Sequence, residues 1–178
     1  DQVKHIDIIP SKQHINSFEN SPQLFYSSSE LILSDVSLLG NIIIQSKTKI
    51  VVDRSAHLTD VLLIAPIIEI RDHVKGVFQA FATERISVAQ HATLDYPSAL
   101  VLHRDQPKER GANDNMIYVA DHSTIKGNIM ALGLVSANNY DAQIKVSSNA
   151  ILEGLIYCEQ NLELRGTVYG TVYTNNFL

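Results

Sequence analysis

Apolar and polar residues alternate along most of the chain from Leu31 onward. The alternating runs are short, and small polar turns such as residues 53–55 (DRS) and 147–149 (SSN) separate them. A period of two is typical of β-strands, whereas the spacing of an amphipathic helix is hard to find in this chain. β-Branched side chains are frequent within the runs, which also favours strands. The sequence therefore predicts an all-β protein.

One spacing of apolar positions recurs along the chain. The clearest copy, Ile144–Cys158, follows the order I-x-V-x3-A-x-L-x-G-x-I-x-C. A shift of 94 positions lays Ile50–Ala80 onto Ile144–Thr174 without a gap. Further copies, complete or partial, begin at Ile32, Ile50, Ile68, Ile86, Ile117 and Leu162. Because one such unit cannot bury its apolar face alone, the repeat predicts a solenoid, a parallel β-helix of about seven coils over residues 31–178.

Two segments depart from the repeat. Residues 1–30 are polar and irregular, and we expect an N-terminal extension or cap, with an apolar patch at residues 6–9 as a candidate edge strand. The register of the repeat is lost between Leu94 and Met116, although Leu100, Val101 and Leu102 could still form an inward strand. Residues 103–115 (HRDQPKERGANDN) are predicted to form a polar loop, and loops on rigid scaffolds often carry function.

Composition narrows the range of partners. The 178 residues suit one domain, and the net charge of −5 comes without any basic stripe, so nucleic acid is not expected as a partner. The single cysteine excludes an internal disulfide framework. No stretch approaches the roughly 20 apolar residues of a membrane span. The chain begins at Asp1 rather than at a methionine, so we expect the soluble part of a longer protein that reaches a membrane only through segments missing from it.

Catalytic motifs are missing from the sequence. It contains no glycine-rich phosphate loop, no G-x-S-x-G elbow, no H-E-x-x-H and no C-x-x-C. We therefore predict a protein that is not an enzyme, with no catalytic, cofactor-binding or metal-binding residues and no cofactor. Cys158 is expected to be a small buried thiol in an inward column that it shares with Ile64 and Ala131.

Three histidines occupy the same position of the repeat. His73, His91 and His122 fall in consecutive coils, which would place them about 5 Å apart in one column. Since imidazoles bind metals and titrate near neutral pH, a metal-binding or pH-sensitive ladder is one interpretation. The other is a solvent-facing column of turn residues. We favour the turn column, because side chains of one column point the same way and do not converge on a metal.

The repeat also resembles a known family. The unit at Ile144–Cys158, followed by residues 162–172 (LELRGTVYGTV), resembles the bactofilins, which are bacterial polymer-forming cytoskeletal proteins built almost wholly of a right-handed parallel β-helix. The resemblance covers about Leu31–Thr174 and is strongest in the C-terminal third. It implies a right-handed helix, assembly and membrane association. The chain departs from the family in its N-terminal segment, in residues 103–115 and in irregular coil lengths.

The sequence thus predicts a non-enzymatic structural or scaffold protein of the bacterial cell envelope that associates with itself or with another envelope protein. We expect a membrane-associated soluble domain, with the cytoplasm as the alternative location. A second hypothesis is a surface or periplasmic module that binds carbohydrate or protein. The outward residues that would serve such a module are Tyr118, Tyr157, Tyr169 and Tyr173. A polysaccharide-active enzyme is less favoured. A hexapeptide-repeat acyltransferase is also less favoured, because the six-residue spacing in this sequence breaks in the middle of the chain.

Overall fold

The computed structural model describes residues 3–5, 14–16, 22–105, 116–133 and 140–178. Within these ranges the chain forms fourteen strands and no helix, and every strand pairing is parallel. The predicted all-β class is therefore confirmed. The strands are β1 (Val3–His5), β2 (His14–Asn16), β3 (Gln23–Ser27), β4 (Leu31–Leu33), β5 (Ser37–Ser46), β6 (Lys49–Val52), β7 (His57–Ile70), β8 (Lys75–Val88), β9 (Thr93–Arg104), β10 (Ile117–Val119), β11 (Thr124–Gly133), β12 (Ile144–Val146), β13 (Ile151–Leu164) and β14 (Thr167–Phe177).

The strands stack in chain order, and the long ones pair with different neighbours through their two halves. Strand β8 pairs with β9 through its first half and with β10 through its last residues. Strands β11 and β12 then pair with β9 and β10, and both meet β13. The pairings β8–β10–β12–β13–β11–β9 close a ring of six parallel strands, to which the other strands add at its two ends.

The register aligns inward side chains into columns along the stack. One column runs through the first strand of each repeat, and each of its members is at most 1% exposed. It consists of Leu31, Ile50, Ile68, Ile86, Ile117, Ile144 and Leu162. β-Branched side chains pack well on a pleated surface, which explains why isoleucine fills this column. Four small residues of the repeat are buried as well, namely Ala56, Ala92, Ser123 and Ala150.

The first repeat starts one residue earlier than predicted. Ile32 is 44% exposed, and Leu31 and Leu33 take the inward positions opposite Ile50 and Val52. The run Leu31–Leu33 is apolar throughout, so its alternation did not define which residues face inward. The prediction of Ile32 as an inward residue is wrong.

The second repeat slips by one residue at Asp60. The register shifts between Thr59 and Val61, and Asp60 takes a left-handed φ of 55°. After the slip Val61, Leu63 and Ala65 are buried. Leu62 and Ile64, which strict alternation would turn inward, lie on the outer side. A one-residue slip moves each following side chain of a strand to the opposite face.

The inward column of Cys158 changes with that slip. Cys158 pairs in register with Ala131, as predicted, and the column continues through Leu102 and Ala82 to Ala65. The assignment of Ile64 to this column is wrong, because Ile64 points outward in the slipped register.

Strand β9 recovers the repeat after a bulge. The exposed residues 95–97 are looped out between Leu94 and Ser98, and Leu100 and Leu102 are fully buried beyond them. The predicted break in register thus occurs as this bulge, and the candidate strand at Leu100–Leu102 is present beyond it, with Val101 on the outer side. The strand continues to Arg104, two residues into the predicted polar loop, and residues 106–115 of that loop lie outside the described residues.

The N-terminal strands add to one end of the stack. Strands β2 and β3 both pair in parallel with β5, and β1 pairs with β3. The candidate edge strand at residues 6–9 lies outside the described residues, and the boundary between an N-terminal cap and the repeat at residues 30 and 31 stays a prediction.

A stack of glycines lies where β11, β13 and β14 bend. Gly127, Gly154 and Gly170 pair in register and have φ values of 145°, 146° and 155°. A Cβ on Gly154 would overlap the carbonyl oxygen of Gly127. Only glycine combines this backbone conformation with so close an approach.

Candidate functional site

The predicted histidine column is present. The rings of His73 and His91 have centroids 4.9 Å apart and are nearly parallel, with 5° between their planes. The rings of His91 and His122 are 5.1 Å apart at 4°. The three exposed side chains thus form a regular stack, which we call the histidine ladder, on one edge of the fold.

Backbone geometry explains why histidine recurs there. His73, His91 and His122 have φ values of 58°, 59° and 59°, in the left-handed region. Among non-glycine residues, asparagine, aspartate and histidine are the most enriched in that region. The amide of His73 donates to the carbonyl of Gln90 at 3.1 Å, which ties one turn to the next. The ladder is therefore a column of turn residues held one repeat apart.

The ladder has few charged neighbours. Nε2 of His73 lies 4.0 Å from Oδ2 of Asp72, and Oδ1 of Asp121 accepts a hydrogen bond from the Asn149 amide at 3.4 Å. Parallel rings about 5 Å apart cannot surround a single ion tetrahedrally. Within the described residues no group of three or more His, Cys, Asp or Glu side chains could hold a metal ion.

A hydrogen-bonded turn precedes the ladder. Asp53 accepts hydrogen bonds from the hydroxyl of Ser55 at 2.8 Å and from its amide at 3.1 Å, and Arg71 donates to its other oxygen at 2.8 Å. These bonds hold the pKa of Asp53 below its ordinary value, and the bond from the Ser55 hydroxyl has the largest effect. Burial acts in the opposite direction. The turn is thus tied both to itself and to the next repeat.

A second electrostatic link crosses the first strands of several repeats. Nζ of Lys49 lies 3.3 Å from Glu30 and 3.4 Å from Glu69, and Arg85 lies 3.8 Å from Glu69. The hydrogen bond to Glu30, followed by the charge of Glu69, raises the pKa of Lys49 although partial burial lowers it. This side of the fold is therefore charged and internally paired.

Cys158 is placed as a core residue. Its side chain is 2% exposed, and Sγ lies 3.3 Å from the carbonyl oxygen of Asn161. Burial raises the pKa of the Cys158 thiol, which keeps it in the poorly nucleophilic protonated form at neutral pH.

The last strand leaves one side of the stack open. Among the described residues β14 pairs only with β13. Its inward residues Val168 and Val172 are only partly buried, whereas their register partners Leu152 and Ile156 in β13 are 2% and 0% exposed. A strand edge with unpaired backbone groups beside half-exposed apolar side chains is a template for pairing with another chain.

Two adjacent outward columns carry no charge. Both run through β3, β5, β7, β8, β9, β11, β13 and β14, which we call the second strands. One column consists of Leu24, Ile43, Leu62, Gln79, Ala99, Asn128, Leu155 and Thr171. The other consists of Tyr26, Gln45, Ile64, Phe81, Val101, Met130, Tyr157 and Tyr173. All of these side chains are at least partly exposed, and we call this surface the apolar face.

A recess opens on the apolar face. It has a volume of about 370 Å³ and lies at the border of the face, where Gln45, Ile64 and Phe81 line it together with Lys47 and His103. Phe81 is 43% exposed, so a projecting ring and a hollow lie next to each other.

The predicted outward tyrosines are distributed over different surfaces. Tyr118 shares its column with Lys145 and Glu163. Tyr157 and Tyr173 pair in register on the apolar face with ring centroids 6.4 Å apart. Tyr169 is 66% exposed but stands before the bend at Gly170, in register with Glu153, so it does not join a row with Tyr173.

Comparisons with protein-family models, with curated proteins and with solved structures give no match. The described part of the chain contains no helix long and apolar enough to cross a membrane. The likeness to bactofilins therefore rests on the repeat alone and stays a prediction.

Proposed function

We propose that the stacked strands form a right-handed parallel β-helix of about seven coils. Each pairing joins one repeat to the next in parallel, and the inward columns continue from β4 to β14. The proposed hand is supported by a general rule, since crossovers between parallel strands of one sheet are right-handed in nearly all cases. On this interpretation the ring of six strands consists of successive coils, and the long strands bend from one side of the helix to the next.

We further propose that this rod is a non-enzymatic scaffold of the bacterial cell envelope that associates with itself. The open edge of β14 is the observation that supports the self-association. A second copy that pairs with this edge would satisfy its backbone groups and cover Val168 and Val172. The resemblance of the repeat to bactofilins supports both the proposed location at the cell envelope and the proposed self-association.

Val172→Lys tests association through the edge. The substitution places a charge in the inward column of the open coil, where an added coil would bury it unpaired. Because Val172 is only partly buried, the lysine can reach solvent in the single copy. We expect electron microscopy of the wild-type chain to show rods longer than the roughly 30 Å of seven coils, and the variant to show only single-copy lengths.

Thr167→Lys is the matched control, since it adds the same charge to the exposed outer side of the same strand. Particles of Thr167→Lys should keep the wild-type lengths. A cooperative transition in urea should show that both variants are folded. Equal particle lengths for the wild-type chain and a folded Val172→Lys variant would refute association through β14.

A carbohydrate-binding module is a second candidate, which the Tyr157–Tyr173 pair favours. Two tilted rings 6.4 Å apart offer an aromatic surface on which a sugar ring can stack. A glycan array should show binding that Tyr157→Ala and Tyr173→Ala remove and that Tyr140→Ala, at an 80% exposed site elsewhere, leaves intact. Glycan binding that persists in both pair variants would exclude this version.

A further inference from the structure

The apolar face differs from the rest of the surface. It contains no charged residue along the whole stack, in a chain in which 19% of the residues are charged. Twelve of its sixteen side chains are apolar or aromatic, and large apolar patches on a protein surface mark interaction sites.

The other outward columns show that this composition is specific to one face. Lys145 pairs with Glu163 at 3.0 Å on the first strands, and Lys126 lies 4.0 Å from Glu153 near the ladder side. Those columns pair their charges within one copy. The two columns of the apolar face carry no charge from β3 to β14, although Lys126 and Glu153 lie earlier in the same strands.

We propose that the apolar face is an interface at which two copies of this chain pack side by side, face to face, across a two-fold axis. Eight strands at about 4.8 Å by about five residues of strand at 3.3 Å give roughly 600 Å² per copy. The pair would thus bury roughly 1,200 Å², which reaches the lower limit for a specific, stable interface.

A second copy fits the face better than a charged partner does. The two columns of each face come together without burying an unpaired charge, and the exposed Lys47 at the border of the recess can keep its ammonium group in solvent. Flat sheets pack face to face about 10 Å apart, and both copies carry the same spacing between strands. The ring of Phe81 and the adjacent recess form a projection and a hollow on one surface, so a two-fold axis places each ring over the hollow of the other copy.

This lateral contact goes beyond the proposed association through β14 and does not depend on it. The two contacts use different surfaces, the outer side of the second strands and the edge of the last strand. Each can therefore be removed while the other stays.

Ile64→Glu tests the lateral contact. It places a carboxylate beside Phe81 in the middle of the face, at an outward position that leaves the core unchanged. Ile151→Glu is the matched control, since Ile151 is a 37% exposed isoleucine at an outward strand position in a column with Thr124 and Thr167. Both substitutions are made in the full chain that carries Val172→Lys, so that association through β14 is switched off.

Analytical ultracentrifugation of these proteins gives the readout. We expect Val172→Lys alone to have the mass of two copies, Ile64→Glu to raise its dissociation constant at least about 100-fold, and Ile151→Glu to change it by less than about twofold. A monomer at about 100 μM for Val172→Lys, or a dimer unaffected by Ile64→Glu, would overturn the lateral contact.

Two further results separate the explanations. If the monomer instead floats with phosphatidylcholine vesicles and Ile64→Glu abolishes flotation, the face binds lipid and the dimer is refuted. If Val172→Lys leaves rods of wild-type length, the proposed β14 contact fails, while the effect of Ile64→Glu on particle width still decides the lateral contact.

Discussion

At the scale of single residues, the histidine ladder is explained by backbone conformation. His91 stands at a φ of 59°, which asparagine tolerates and a β-branched residue does not. We expect His91→Asn to leave the free energy of unfolding nearly unchanged and His91→Val to lower it by about 1–2 kcal/mol, as urea denaturation would measure. An equal loss in both variants would show instead that the stacked imidazoles stabilise the fold.

A substitution in the glycine stack should lower the free energy of unfolding more than His91→Val does. Gly154→Ala would force a Cβ against the carbonyl oxygen of Gly127 at a φ of 146°. We expect a loss of about 3 kcal/mol or more in urea unfolding. The adjacent Glu153→Ala removes only an exposed side chain and should change stability by less than about 0.5 kcal/mol. A mild effect of Gly154→Ala would mean that the strands do not approach as closely as described.

Asp53 makes part of the stability depend on pH. Its pKa is lowered in the folded state, so its contribution is complete above its ordinary pKa and is lost as the pH falls through the folded-state value. Asp53→Asn should therefore cost about 1 kcal/mol at pH 7, and the difference from the wild-type chain should shrink below about pH 4. Urea unfolding at several pH values measures this. A difference that persists unchanged at pH 2 would contradict the role of the charge.

At the scale of elements, strand β9 tests the recovery of the register after its bulge. Leu100 is 0% exposed, and the neighbouring Val101 points outward. Leu100→Ala should lower the free energy of unfolding by about 3 kcal/mol through loss of buried contacts, and Val101→Ala by less than about 1 kcal/mol. Comparable losses at both positions would place the strand in a different register.

The repeat could be predicted because each copy repeats the same environment. The isoleucine column and the small residues at the bend follow directly from that spacing, and so does the histidine column. The slip at Asp60 and the bulge at residues 95–97 could not be predicted. Each is a local change of backbone conformation that turns the following side chains to the other face of the strand. The number of apolar residues in the sequence gives no sign of such a change.

The same slip concealed the apolar face. Alternation alone places Leu62 and Ile64 inward, whereas the structure turns both outward. Once the slip is included, the two outward columns without charges can be recognised from the sequence. The open edge of β14 required the pairing itself, because neither composition nor spacing reports which strand edge remains free.

At the scale of the whole molecule, the parallel strands form one stack, for which we propose two contact surfaces. The edge of β14 would extend the rod, and the apolar face would join rods side by side. Charged side chains cover the first strands, where Lys49 and Glu69 pair between repeats, so association there is not expected. An assembly with these two contacts would form bundles of limited width and variable length.

Hydrogen exchange of the β14 amides at increasing protein concentration decides whether copies associate through this edge. If copies associate through this edge, amides of Thr167–Phe177 that exchange quickly in dilute protein will become protected as concentration rises, and Val172→Lys will abolish the change. Protection in β14 that is the same at every concentration, while the particles still grow, would contradict the account.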